Sequence, residues 1–152
     1  YAWGENIGWI QMGSASGPYP YRVVTGWNCS PPPPLPSGGM WLGVDKIDGW
    51  ATDLYWNPVT DATGYDVVYG WLHILRSPPG GDFVGATQGC IDENTIDTRA
   101  VHLEPPPLDT GFWYLVRPVN CGGTGTYDSG DPGQIAPRDV GIEGSGINCM
   151  VP

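Results

Sequence analysis

Residues 54–70, LYWNPVTDATGYDVVYG, read as two strands and the turn that joins them. Ahead of the turn, Thr52, Leu54 and Trp56 alternate with Ala51, Asp53 and Tyr55. That is the period-2 pattern of a strand with one face in a core. After the turn, Tyr65, Val67, Tyr69 and Trp71 fall on one face of a second strand. Between them, NPVTDATG holds turn chemistry: proline presets φ, Asn and Asp bond to nearby backbone, and glycine tolerates positive φ.

The same signal recurs outward from this stretch. MWLGVDKI (40–47), FVGATQG (83–89), DTRAVHL (97–103), GFWYLVRPVN (111–120) and IAPRDVGIE (135–143) are further candidate strands. No window of 11 residues carries a helical period, and Gly or Pro interrupts every candidate helix. About seven strands in roughly 110 residues suit an all-β, immunoglobulin-like two-sheet sandwich. The 24 Gly and 17 Pro would suit disorder, but 8 Trp and 8 Tyr argue for a packed chain with many turns.

Residues 40–152 are thus assigned to the sandwich, 29–39 (CSPPPPLPSGG) to a Pro-rich linker and 1–28 to an aromatic strand or hairpin segment. Four consecutive prolines favour polyproline II, a semi-rigid spacer. The first segment carries Tyr1, Trp3, Ile7, Trp9, Ile10, Val23, Val24 and Trp27, yet is too short to build a core of its own. The strand at 111–120 has the complementary excess. With Phe112, Tyr114 and Val116 facing the core, Trp113, Leu115 and Val119 point outward, where a two-layer sandwich shows polar residues. These three form a candidate acceptor surface for residues 1–28, from the same chain or from a neighbour. The stiffness of the prolines favours the neighbour.

At this level of detail the chain resembles fibronectin type III domains of bacterial secreted proteins. Leu54, Trp56, Pro58, Gly64, Tyr65, Val67 and Tyr69 stand where that family has its second and third strands. Phe112, Tyr114, Val116, Pro118 and Asn120 stand where it has its sixth. The resemblance spans about residues 40–145. Phe112 replaces the tyrosine of the family's corner, and Pro118 removes a ladder donor, so that strand should be bulged or bonded on one side only. WGENIGWI (3–10) resembles a Trp-x-Glu-Asn-Ile-Gly-Trp-Ile segment of bacterial surface and secreted proteins. The sandwich topology that the resemblance implies brings the ends of the fourth and sixth strands together. It thereby implies a Cys90–Cys121 disulfide that closes a loop of ~30 residues, contributing about 3 kcal/mol. Cys29 and Cys149 are left to pair with each other or between chains.

Charge narrows the functional classes. With 6 Lys+Arg and a net charge of −10, the chain repels phosphate backbones and anionic lipid surfaces. No nucleic-acid partner and no membrane insertion are expected, since no run of 18 apolar residues occurs. A chain beginning at Tyr1 is expected of a processed or excised product. Four cysteines without CxxC spacing favour disulfides and an oxidising compartment over zinc. Catalysis is not expected. His73 and His102 lie among apolar strand residues, and the carboxylates Asp92 with Glu93 and Asp128 with Asp131 sit in turn-like stretches. No cofactor is expected, beyond calcium held loosely at Asp128 and Asp131. The reading is an extracellular or cell-surface bacterial structural protein that assembles head-to-tail into a filament or matrix, with copies of itself or other surface proteins as partners. Its alternative is an accessory carbohydrate- or matrix-binding module cut from a larger secreted protein, using surface Trp and Tyr.

Overall fold

The computed structural model describes residues 2–4, 8–13, 22–25, 30–34, 39–47 and 49–149. The first three of these ranges are strands, β1 (Ala2–Gly4), β2 (Gly8–Gly13) and β3 (Arg22–Thr25). They form an antiparallel sheet in the order β1-β2-β3. Two strands were expected here. Ala2 pairs with Ile10 and Gly4 with Gly8, so the first stretch holds two antiparallel strands rather than one. The side chains assigned to the assembly segment, Tyr1 to Trp27, lie outside the described residues.

The rest of the chain builds β4 (Leu42–Ile47), β5 (Ala51–Trp56) and β6 (Gly64–Trp71), then two short helices, α1 (Leu72–Arg76) and α2 (Phe83–Ala86). β7 (Thr87–Thr95), β8 (Arg99–His102), β9 (Phe112–Asn120), β10 (Gly123–Thr124) and α3 (Arg138–Gly144) follow. The strands form two antiparallel sheets, β4-β5-β8 and β10-β9-β6-β7. The all-β sandwich is therefore present, and the turn at 57–63 carries the chain from one sheet to the other.

Between the sheets lies a core of Leu54, Trp56, Val59, Tyr65, Val67, Ala100 and Val116. Trp56 and Tyr65 meet edge to face, with ring centroids 5.5 Å apart. The Tyr65 hydroxyl accepts a hydrogen bond from the Val59 backbone N–H at 2.9 Å, pinning the turn to the strand it starts. Replacing Tyr65 with Phe leaves that N–H buried and unpaired. The expected loss is about 1–3 kcal/mol in urea unfolding, and a variant as stable as the parent would show that the turn stands without this bond.

Pro118 obeys the one-sided bonding its ring imposes. Its carbonyl accepts from Gly125 N–H at 2.7 Å, on the side away from β6. The missing donor therefore faces the short β10 edge, and the β6–β9 ladder runs unbroken from Gly64↔Val119 to Trp71↔Phe112.

Three sequence readings are corrected. FVGATQG is a helical turn followed by the start of β7. His73, read as lying among strand residues, is helical instead, since α1 begins at Leu72. IAPRDVGIE, read as the last strand, contains α3; the final pairing is made instead by β10. At seven residues α3 is too short to display a period. Only its Ile142 is buried, while Val140 is 74% exposed.

A fourth correction concerns the disulfide. β7 does not end at Cys90; it runs on to Thr95, and Cys90 pairs with Val68 in the middle of β6. Cys121 follows the end of β9, two residues past Val119, the partner of Gly64. Six residues of strand, ~20 Å, plus the width of β6 separate the two cysteines, and a disulfide spans only ~4.4–6.8 Å between Cα atoms. The bond is Cys90–Cys149, with Cα atoms 5.0 Å apart. Cys121 is itself disulfide-bonded, and Cys29 lies outside the described residues.

Residues 30–34 lie against the sandwich, with Pro33 buried. The Asn120 side-chain amide donates to the Pro31 carbonyl at 2.8 Å. A Cβ on Gly122 would stand 1.9 Å from the Ser30 carbonyl, so only glycine admits the chain there. Prolines bring no N–H that needs a partner, which suits them to lying along a surface as well as to spanning a gap.

Candidate functional site

The outer face of the four-stranded sheet carries the acceptor residues expected from the sequence. Its side chains do point away from the sandwich core, as expected. They are covered by the chain itself. Val68, Phe83, Ala86, Trp113, Tyr127, Ile142 and Cys149 form a second core between this face and α2, α3 and the C-terminal segment. Trp113 is 8% exposed and meets Phe83 edge to face at 5.5 Å; Leu115 packs at the margin, and Val119 is fully buried. The acceptor surface of Trp113, Leu115 and Val119 is thus corrected to an interior. Gly70 makes the close approach possible: a Cβ there would sit 2.1 Å from the Ala86 carbonyl.

Beneath this roof lies a charge network. Arg117 and Asp66 are 1% and 0% exposed, with Nε and Oδ2 3.0 Å apart. Arg117 Nη1 reaches Glu143 of α3 at 3.3 Å, and its guanidinium lies 4.8 Å from the centre of the Tyr127 ring. Burial pushes the Tyr127 phenol well above its ordinary range. Two lone, opposite charges in otherwise apolar strands were the signal for this pair, once β6 and β9 were known to be neighbours.

The acidic loop candidates serve the same roof. Asp128 Oδ1 accepts from the Arg138 backbone N–H at 2.7 Å and also from the Gln134 side chain. Asp131 Oδ1 accepts from Gly133 N–H at 2.7 Å. Asp139 holds Thr126 and the Tyr127 backbone N–H. These carboxylates order the loop that leads into α3. Asp92 and Glu93, consecutive on β7, point to opposite faces of a strand and do not confront each other. Among the described residues no group of three or more His, Cys, Asp or Glu side chains converges where a metal could bind.

Among the described residues the three-stranded sheet has no such roof. Trp41, Val44 and Trp50 are 56%, 51% and 61% exposed on or beside β4. Trp41 stands edge to face with Tyr55 at 5.5 Å, at the start of β4. Trp50 stands at the opposite end, in the β4–β5 turn, beside Gly49, whose φ of +86° makes the turn possible. There the sandwich ends in an open cleft of about 460 Å³. Val44, Lys46 and Thr52 line one side, Trp50 the rim, and Pro105 and Pro106 the wall beyond β8.

A polar chain runs inward from this cleft. The Tyr114 hydroxyl lies 3.4 Å from Thr52 Oγ1 and 3.1 Å from His102 Nδ1. The His102 ring is packed against Tyr69 at 4.3 Å and Phe112 at 4.8 Å, and its Nε2 is 3.9 Å from Glu104. His73, in contrast, is exposed on α1, 5.9 Å from the Trp71 ring.

Burial lowers the His102 pKa from the ordinary 6.5, and Glu104 opposes it only in part. The unfolded chain therefore takes up this proton more readily, and stability rises with pH across the window. The contribution is complete above about pH 6.5 and is lost as the pH falls from there through the lowered folded value. The melting temperature should drop as the pH falls below about 6.5, and the drop should be shallower in His102→Gln. Equal slopes in the two proteins would remove His102 as the cause.

No family model, no curated protein and no solved structure matches this chain. Among the described residues no helix is long and apolar enough to cross a membrane.

Proposed function

We propose that this chain is an extracellular fibronectin type III-like binding module of a bacterial secreted protein, which holds a carbohydrate or matrix partner and does no chemistry on it. The observation that carries this reading is the unequal covering of the two sheets. The four-stranded sheet spends its apolar outer face on the chain's own helices, while the three-stranded sheet leaves Trp41 and Trp50 more than half exposed, Trp50 beside a cleft. Leaving a large apolar side chain in water forgoes roughly 1.5–3 kcal/mol, and an aromatic side chain beside polar groups at a cleft is the ordinary make-up of a ligand site. The placing of β5 beside β8 and β6 beside β9, a Greek-key relation of strands distant in sequence, supports the fibronectin type III type. The Cys90–Cys149 bond suits an oxidising compartment.

The head-to-tail filament anticipated from residues 1–28 would need an acceptor other than Trp113, Leu115 and Val119. Two measurements on the whole chain separate the readings. Affinity electrophoresis through gels containing polysaccharides or matrix proteins should retard it, and light scattering should return the mass of a monomer at all concentrations. An unretarded chain that grows into long particles would overturn the module in favour of the filament.

A further inference from the structure

We infer that the cleft at the β4–β5 end of the sandwich is a binding site for a neutral oligosaccharide, with Trp50 as its stacking platform. The inference rests on the binding-module reading and assigns it a place and a ligand class. Trp50 is 61% exposed, and among the described residues its ring meets no other aromatic ring. It overhangs about 460 Å³ of open space, within the ~300–1,000 Å³ of ordinary ligand sites.

The lining is two-sided. Trp50, Val44, Pro105 and Pro106 offer apolar surface; Thr52 and Lys46 offer a hydroxyl and an ammonium group. A pyranose has the matching division, with C–H groups on its faces and hydroxyls around its edge. Thr52 is held from behind by the Tyr114 hydroxyl, itself 3.1 Å from His102 Nδ1. The polar side of the cleft is therefore braced before a ligand arrives, which lowers the ordering that binding requires. Prolines 105 and 106 stiffen the opposite wall in the same sense.

Charge selects among sugars. Asp45 offsets Lys46 at the rim, and the chain as a whole carries −10. That field disfavours uronate polymers, leaving hexose or pentose chains without carboxylates.

The test uses the full chain, titrated calorimetrically with cellohexaose, xylohexaose and mannohexaose, and with hexagalacturonate and a proline-rich peptide as contrasts. At least one neutral hexasaccharide should bind. Trp50→Ala should weaken it at least tenfold, and Trp41→Ala, at the far end of the same strand, should leave it within twofold. Both side chains are exposed, and circular dichroism will show each variant folded. Binding that survives Trp50→Ala but falls with Trp41→Ala overturns this site and leaves the module reading standing. Tighter binding of hexagalacturonate, or of the peptide alone, overturns the ligand class. No binding of any neutral hexasaccharide overturns the inference, and retardation by matrix proteins in the gel assay then decides the module reading separately.

Discussion

Replacing Arg117 with Met is expected to destabilise the fold by about 3–5 kcal/mol. Arg117 Nε stands 3.0 Å from Asp66 Oδ2, and the two residues are 1% and 0% exposed. Without the guanidinium, the Asp66 carboxylate stays in the interior with only the Asn94 backbone N–H on its other oxygen. Glu143 matters less, because its side chain is 47% exposed and water can replace its partner. The loss therefore belongs to one stranded charge rather than to a missing packing volume, which Met largely keeps. That distinction can be measured. In urea unfolding, the double variant Asp66→Asn with Arg117→Met should recover more than half of the deficit, since Asn can still accept from Asn94. A single variant within about 1 kcal/mol of the parent would show that solvent reaches the pair and that the roof over it is loose.

The second large effect concerns the bond that holds that roof. The cysteines of the Cys90–Cys149 bond lie 59 residues apart in sequence, and a loop of that length corresponds to about 4 kcal/mol in the chain-entropy account. The double variant Cys90→Ser, Cys149→Ser should lose about that much in urea unfolding. It should also unpin the segment after α3, because Cys149, 1% exposed, is part of the second core with Val68, Phe83, Trp113 and Ile142. Near-ultraviolet circular dichroism should register the change through Trp113. If the double variant unfolds within about 1 kcal/mol of the parent, the helices hold the sheet by packing alone.

Both effects act on the same face, and that face bears on function. An apolar strand covered on both sides reads as a near-continuous hydrophobic run, and GFWYLVRPV is one. The outward set was legible: Trp113, Leu115 and Val119 do point away from the sandwich core. What covers them was not. Phe83 and Ile142 come from stretches of four and seven helical residues, each too short to show a period and each broken by glycine. Their helical form follows from docking on the sheet, with Asp82 accepting from Gly85 N–H at one and Asp139 anchoring the loop before the other.

The cleft shows the same division between local and distant information. Thr52 and His102 each had a readable place on a strand. Their meeting depends on pairing Thr52 with His102 across β5 and β8 and on bringing Tyr114 of the other sheet over both. Those contacts join residues 12 to 62 positions apart, and no local pattern specifies them.

Alternation, turn chemistry and aromatic content in the sequence alone determined that this protein is an all-β sandwich, that residues 54–70 are two strands and the turn between them, and which residues of β5, β6 and β9 face inward. These depend on neighbours one or two residues away, where the pleat dictates direction. The tertiary structure alone decided that Cys90 joins Cys149, that the polyproline segment lies along its own domain, that Arg117 meets Asp66, and that the apolar face of β9 is roofed from within. Each of these depends on which strands become neighbours and how far one extends. Such relations arise from burying surface between distant segments, whose energies appear only once the chain has closed on itself.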